Sequence, residues 1–510
     1  MSNLFDNLLN IDSPEILDTF IGNNIQDIFD FCNSDYKSIK LYYDSVDVFI
    51  SFKTDLIEQL DYSKGYNKAF VAILLELCER LNLRSSIIRI HPILTGNNLN
   101  IGSRLYAILL YMCDIDSNTT QVERFDKICQ NLENAILFED DDDKKAIATF
   151  LNYYGNVINN TKPHIQFAER IKTKLTNAVE NANYHFLQNE SITELLTIDL
   201  QQTDAYEQIQ QIIDRVLNKK SFIDITIRDE SDFLIEKDTD YSKELSTIPA
   251  DFDSIRNISV RQYRSFDKIE RDRLFYELKR CVEVILDFNL MYTYLYSVGN
   301  MHKAKLQSAF EVSQFDNFSS KVNILDWGCG QGIASMIFIE KYGADIVNNI
   351  TLIEPSEIAI KRAALHIKKY NPAISIKTIC KKLDDLTEQD IKKSTTDTTI
   401  HLFSNILDID DYKQSHLIDL IEATLSNINY FVCASPYIDD VKTEKLESFK
   451  RYFENKYNYF ELLLDIQNSK TTNDSYWNCN SNYKNCKCLE HPNCGCGNQW
   501  TRVIKVFKIE

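Results

Sequence analysis

No uninterrupted apolar run in the 510 residues approaches the ~20 that a membrane-spanning helix needs. The opening Met1-Ser2-Asn3-Leu4-Phe5-Asp6 lacks the basic start of a signal peptide, so a cytoplasmic protein with no membrane partner is expected. Positive charge is in short supply: 56 Lys and Arg face 75 Asp and Glu, a net charge of −19. Such a field opposes nonspecific nucleic-acid binding, and any RNA or DNA acceptor needs a local basic patch. No motif recurs at a fixed period, so no repeat architecture is assigned. Glycine is scarce at 12 residues, yet three fall within five positions. The chain exceeds the ~250–300 residues at which single cores stop growing, so at least two domains are expected.

Those three glycines lie in Ile324-Leu325-Asp326-Trp327-Gly328-Cys329-Gly330-Gln331-Gly332, where an apolar strand runs into a tight turn and then a helix. Gly328, Gly330 and Gly332 permit positive φ and remove Cβ atoms, so a ligand can approach the backbone beside free helix N–H groups. Glu354 follows 22 residues after the last glycine, at the end of a second strand, where a carboxylate can accept from both hydroxyls of a ribose. A dinucleotide fingerprint reads G-x-G-x-x-G and holds a pyrophosphate. Here the spacing is G-x-G-x-G, and Asp326 would repel a phosphate but suits an ammonium group.

On these residues the chain resembles class I S-adenosylmethionine-dependent methyltransferases, whose first motif is an apolar strand followed by D-x-G-x-G-x-G. The resemblance covers roughly residues 294–510 and is specific in its first two motifs. It implies an α/β Rossmann-like domain with a mostly parallel seven-stranded sheet whose last pair is antiparallel. It also implies an S-adenosylmethionine site formed by Asp326, Gly328, Gly330, Gly332 and Glu354, with Asp384 or Asp385 against the adenine amino group. Tyr296, Asn300 and Lys303, before the first motif, are placed by the same resemblance over the methionine end of the cofactor.

Alternating signals support that architecture: a helix at 357–370, strands at 374–380, 399–403 and 429–434, a helix at 412–425, and late strands at 457–466 and 501–509. Catalytic groups in open α/β sheets sit at strand carboxyl ends. Amine methyltransferases carry [DNS]-P-P-[YFW] after the fourth strand, whereas this chain has Ser404-Asn405-Ile406-Leu407. That disfavours adenine- or cytosine-amine chemistry, and Cys329 and Cys433 read as structural rather than nucleophilic. What remains is transfer by alignment. Asn405 and Asp408 are the candidates to orient the acceptor, and His401 or Tyr437 to remove a proton.

Five of the 13 cysteines fall within 18 residues: Cys479, Cys486, Cys488, Cys494 and Cys496, with His491 among them. Paired C-x-C units let thiolates converge on one metal, so a structural Zn²⁺ is expected in an insertion at 477–500, with an iron–sulfur cluster as the alternative. A late cysteine cluster is also distantly similar to the methyltransferase-like proteins of small-ribosomal-subunit assembly, some of which use the fold as a scaffold.

Residues 1–220 carry wide apolar faces at helical spacing, as in Phe70 to Cys78 and Arg104 to Tyr111, and predict an all-helical domain able to dock a protein partner. The acids from Glu139 to Asp143 read as a solvated loop entering a helix, and His91, His164 and His185 as structural. Residues 221–293 are expected to be a linker with connecting helices. A short strand is predicted at 222–227, and a basic run from Arg256 to Arg280 is interleaved with Tyr263, Phe266, Phe275 and Tyr276. That run is a candidate substrate face unless Asp267, Glu270, Asp272 and Glu277 neutralise it. The function expected is methyl transfer to RNA or protein, with a noncatalytic scaffold and a small-molecule methyltransferase as alternatives.

Overall fold

The structure is a computed structural model and describes residues 4–97, 99–113, 122–139, 141–160, 165–200, 202, 204–218, 233–278, 284–318, 320–391, 398–409, 412–437, 440–468 and 501–510. The chain divides into two compact units, Met1–Ile223 with Ile438–Glu444, and Asp224–Tyr437 with Lys445–Glu510. The predicted strand at 222–227 and the whole cysteine cluster (Cys479, Cys486, Cys488, His491, Cys494 and Cys496) lie outside the described residues.

The first unit is helical throughout its described residues. Its helices form where apolar residues recur every three or four positions. In Pro14–Cys32, Ser13 caps the N-terminus by accepting from the Ile16 N–H, a proline occupies the first turn, and Leu17, Ile21, Ile25 and Ile28 are buried. Gly65–Arg80 is buried on nearly every side from Ala69 to Glu79 and forms the centre of the unit.

The acidic run leads into the Asp143–Asn160 helix as expected, but Glu139 and Asp141 are engaged rather than solvated. Glu139 accepts from the backbone N–H and the hydroxyl of Ser103, both at 2.6 Å, and Asp141 accepts from Arg104 Nε at 2.9 Å. These acids turn inward because Gly102–Met112 leaves its first N–H groups uncapped and Arg104 is buried with Glu76 at 2.7 Å. His185 pairs with Glu133 at 2.6 Å.

The second unit is built on a seven-stranded sheet: β1 Val322–Trp327, β2 Val347–Ile353, β3 Ser375–Ile379, β4 Thr398–Ser404, β5 Ile428–Ser435, β6 Phe460–Asn468 and β7 Arg502–Ile509. The order is β3-β2-β1-β4-β5-β7-β6. The first five strands pair in parallel, and β7 inserts antiparallel between β5 and β6. This is the expected Rossmann-like sheet, mostly parallel and seven-stranded with an antiparallel last pair. Central β1 is buried at all six positions, as a parallel strand covered on both faces must be. Its alternate residues feed two cores: Val322 and Ile324 join one with Met336 and Ile337 of the Ile333–Tyr342 helix, and Leu325 and Trp327 join the other with Phe431 and Phe449.

The presumed linker is part of this body. Helices Asp240–Thr247, Phe252–Ser265 and Lys268–Glu277 follow one another, and Tyr241, Leu245, Phe252, Ile255 and Ile258 share the core of Val322 and Ile324. The polar stretch hides its first helix start because a Thr239–Ser242 capping box, rather than apolar periodicity, marks it. Glu236 and Arg362 form a buried ion pair at 2.8 and 3.0 Å, with the guanidinium 3.8 Å over the Tyr241 ring.

Candidate cofactor site

The glycine turn leaves β1 with Gly328, Gly330 and Gly332 at φ of +63°, +51° and +81°. L-residues pay a steric penalty in that region, which is why glycine recurs there. The three differ in what surrounds them. A Cβ at Gly328 would lie 2.7 Å from Ile406 Cδ1, and one at Gly332 3.2 Å from Ala363 Cβ. At Gly330 the nearest atom would be the Tyr294 hydroxyl at 3.8 Å. Two glycines therefore admit neighbouring chain, and the middle one leaves room for a ligand.

Glu354 follows directly from β2 and faces the turn. Its Oε2 accepts from the Gly330 N–H and its Oε1 from the Ser356 N–H, both at 3.0 Å. Burial pushes its carboxyl up to about 7, and the Asp326 charge adds to the shift. Asp326 accepts from the Ser335 hydroxyl at 2.6 Å through Oδ2, while its buried Oδ1 has no hydrogen-bond partner among the described residues. Burial holds Asp326 at about 7 as well. The turn thus carries two buried carboxyls with unused lone pairs and one open glycine. Asp384 and Asp385 sit in a 3-10 turn after β3 and are both exposed; Asp384 accepts from the Lys413 N–H at 2.8 Å, just before the Gln414–Thr424 helix.

On the other side of β1, β4 is followed directly by Asn405, held at φ +57°. Its N–H donates to the Ala434 carbonyl at 2.7 Å, its Nδ2 donates to Ser404 Oγ at 3.1 Å, and its Oδ1 accepts from Lys305 Nζ. Asp408, three residues on, is buried, and its Oδ1 has no hydrogen-bond partner among the described residues. Tyr437 is half-buried beyond β5 and packs against the core that contains Phe403, while its carbonyl accepts from Thr501.

His401 does not join these groups. It is fully buried, accepts from Trp327 Nε1 at 3.3 Å and lies parallel to Phe431 with ring centroids 4.7 Å apart. Burial pushes it down to about 3, so it is a neutral core ring and not a proton acceptor for substrate. Cys329 and Cys433 are buried too, and burial raises both thiols, which fits their structural reading.

The segment before β1 turns a different face inward from the one expected. Lys303 pairs with Asp253 at 2.7 Å, and Tyr296 stacks on Tyr263 at 4.0 Å. Instead Tyr294, His302 and Lys305 point to the site: the Tyr294 hydroxyl lies 3.1 Å from His302 Nδ1, and burial with the neighbouring Lys305 charge holds His302 well below its ordinary range. The shared signal was the i, i+3 spacing of His302 and Lys305 among Ala304, Leu306 and Ala309.

The basic run is partly neutralised. Arg256 donates to the Leu295 and Tyr296 carbonyls, Arg261 pairs with Glu244, and Arg273 lies between Glu270 and Glu277. Arg264, Lys268 and Arg271 form no ion pair among the described residues. Tyr263 is buried and withdrawn from any stacking role. Among the described residues no group of His, Cys, Asp and Glu is arranged to hold a metal, and no helix is long and apolar enough to cross a membrane.

No protein-family profile and no curated protein matches the chain. Solved structures do match in fold. The plantazolicin methyltransferase BpumL in complex with SAH is 14% identical, covering 53% of this chain and 97% of its own, with a TM-score of 0.27. A SAM-dependent methyltransferase of Leishmania major is 10% identical over 52% and 89%, with a TM-score of 0.25. A putative RNA methyltransferase from Pyrococcus horikoshii is 13% identical over 47% and 95%, with a TM-score of 0.27.

Proposed function

We propose that the second unit binds S-adenosylmethionine at the glycine turn and transfers its methyl group to a macromolecular acceptor, RNA or protein. The observation that carries this reading is the convergence on one turn of three left-handed glycines, an open position at Gly330, and Glu354 anchored by the Gly330 N–H. The residues fit the cofactor. Glu354 keeps acceptor capacity for two ribose hydroxyls, Asp326 Oδ1 is a buried acceptor without a donor, and a cationic amino acid is the ligand that a buried carboxylate favours over a phosphate. Bound there, the cofactor would supply an activated methyl group.

This chain's own residues then have to align an acceptor and keep water away. Asn405 and Asp408 stand at the end of β4, where an acceptor would meet the turn, and each offers a carbonyl or carboxylate oxygen to a donor. Support for a macromolecular acceptor comes from Arg264, Lys268 and Arg271, which form no ion pair among the described residues and lie on consecutive helices near exposed Ile269 and Phe275.

The test is calorimetric titration of purified protein with S-adenosylhomocysteine, with Glu354→Ala beside it. Two hydrogen bonds to an ionised group contribute about 1.5–3 kcal/mol each, so the variant is expected to bind at least about a hundredfold more weakly with its folding transition intact. Unchanged affinity would overturn the ribose assignment. No binding by the unsubstituted protein would instead favour a scaffold that retains the fold without the cofactor.

A further inference from the structure

Lys305 is buried to 1% exposure on the Gly299–Ala309 helix, and its Nζ donates to Asn405 Oδ1 at the carboxyl end of β4. That oxygen is where the acceptor group is expected. A nucleophilic nitrogen of the chain itself therefore occupies the acceptor position. We propose that Lys305 Nζ is a methyl acceptor and that the protein methylates itself there, an inference that rests on the cofactor reading above.

The register of the sheet supports the reach. In β1, Trp327 pairs with Ile353 on one side and with Phe403 on the other, so Glu354 and the Ser404-Asn405 pair flank the glycine turn from β2 and β4. Two strand spacings separate them, roughly 10 Å. A cofactor whose ribose was held by Glu354 would therefore have its reactive end within reach of Asn405.

The surroundings agree. Ile406 closes on Gly328, which brings the end of β4 against the turn. His302, one helical turn before Lys305, reaches Tyr294, and the Tyr294 hydroxyl is the atom nearest the open side of Gly330. Tyr294 and His302 are hydrogen-bonded beside Gly330, and Lys305, one helical turn after His302, meets Asn405 at the end of β4.

The step balances without a further reactant. Counted from the ammonium form, Nζ loses one proton to bulk solvent before the methyl is transferred. Its lone pair then forms the N–C bond as the C–S bond breaks with its electron pair going to sulfur, leaving an Nζ-methylammonium and S-adenosylhomocysteine. The charge on the lysine is kept while one donor is lost and a methyl group is added beside Asn405.

The experiment incubates the full chain with S-adenosylmethionine carrying a deuterated methyl group and maps the label by peptide mass spectrometry. The expected result is one labelled methyl on Lys305, formed at a rate independent of protein concentration, absent from Lys305→Arg and retained in Lys303→Arg. A second readout needs no turnover: in protein carrying ¹³Cε-lysine, the Lys305 resonance should shift when S-adenosylhomocysteine is added and the Lys303 resonance should not. Site mapping in the unsubstituted protein stands even where a variant fails to fold. Calorimetric binding of S-adenosylhomocysteine without label on Lys305, or with no shift of its resonance, would overturn this inference and leave the cofactor reading intact. No binding of either ligand would overturn both.

Discussion

Cofactor affinity should depend steeply on pH between 6 and 8. In the free protein burial holds Glu354 and Asp326 each at about 7. Ribose hydroxyls and an ammonium group both bind the ionised carboxylate, so binding pulls these groups toward ionisation and releases protons. For one group at about 7, roughly one tenth is ionised at pH 6 and nine tenths at pH 8, so Glu354 alone weakens binding about tenfold at the lower pH. If Asp326 must ionise too, the difference approaches a hundredfold, and the pair titrates as a unit. The sign for stability is opposite. Both groups lie above their unfolded values of 4.5 and 3.8, so their contribution to folding is complete below about pH 4 and is lost as pH rises through 7. Calorimetry with S-adenosylhomocysteine at pH 6, 7 and 8, in buffers of different ionisation enthalpy, counts the protons directly. Glu354→Gln should remove about tenfold of the dependence. A dissociation constant flat from pH 6 to 8, with no proton release, would refute the argument that these carboxyls bind the ligand in ionised form.

Two further substitutions separate ligand contact from packing. Gly330→Ala meets only the Tyr294 hydroxyl, so it should cost about the 1–2 kcal/mol of a left-handed alanine yet weaken S-adenosylhomocysteine at least tenfold. Gly332→Ala adds a close approach of 3.3 Å to the Ala363 backbone, for a total of about 2–5 kcal/mol by denaturant titration; equal losses in the two variants would contradict the distinction. Glu236→Ala leaves the buried Arg362 without its carboxylate, and a loss of about 3–5 kcal/mol is expected in the same assay. A loss below about 1 kcal/mol would show that the Arg362 charge finds another solution.

The glycine turn and Glu354 were legible because backbone geometry restricts the residue type at each position: left-handed φ selects glycine, and a strand end beside the turn selects the acid. The parallel strands were legible because burial on both faces demands apolar runs. His401 was misplaced although the signal was present. Thr399, His401 and Phe403 alternate on one face of β4, and the phenylalanine should have sent the histidine to the core with it. Helix phase before β1 was harder. Tyr292, Tyr294 and Tyr296 distribute aromatic rings around one helix, so apolar periodicity does not say which ring turns inward. The partner that removes Lys303 from the site, Asp253, is 50 residues away in sequence. Distance in sequence also hid the acidic run, whose partners Ser103 and Arg104 precede it by 36 and 37 residues.

A turn of three left-handed glycines would be loose if only its own backbone held it, and the surrounding bonds show what holds it. From above, Gln331 Nε2 donates to the Met291 carbonyl at 3.0 Å, and Ser356 donates to the Ile285 carbonyl. From below, the Gln331 carbonyl meets His366 Nδ1 at 2.9 Å; a carbonyl can only accept, so the proton is on Nδ1 and Nε2 accepts from the Tyr241 hydroxyl at 2.6 Å. Burial pushes His366 down to about 4, which keeps that tautomer neutral at physiological pH. The turn is therefore held on one side by the Phe288–Ser297 helix through Met291, and on the other by His366 of the Glu357–Tyr370 helix, backed by Tyr241. These contacts supply the ordering that glycine cannot, so Tyr241, Ile285 and Met291, all before β1, help to fix the shape of the turn.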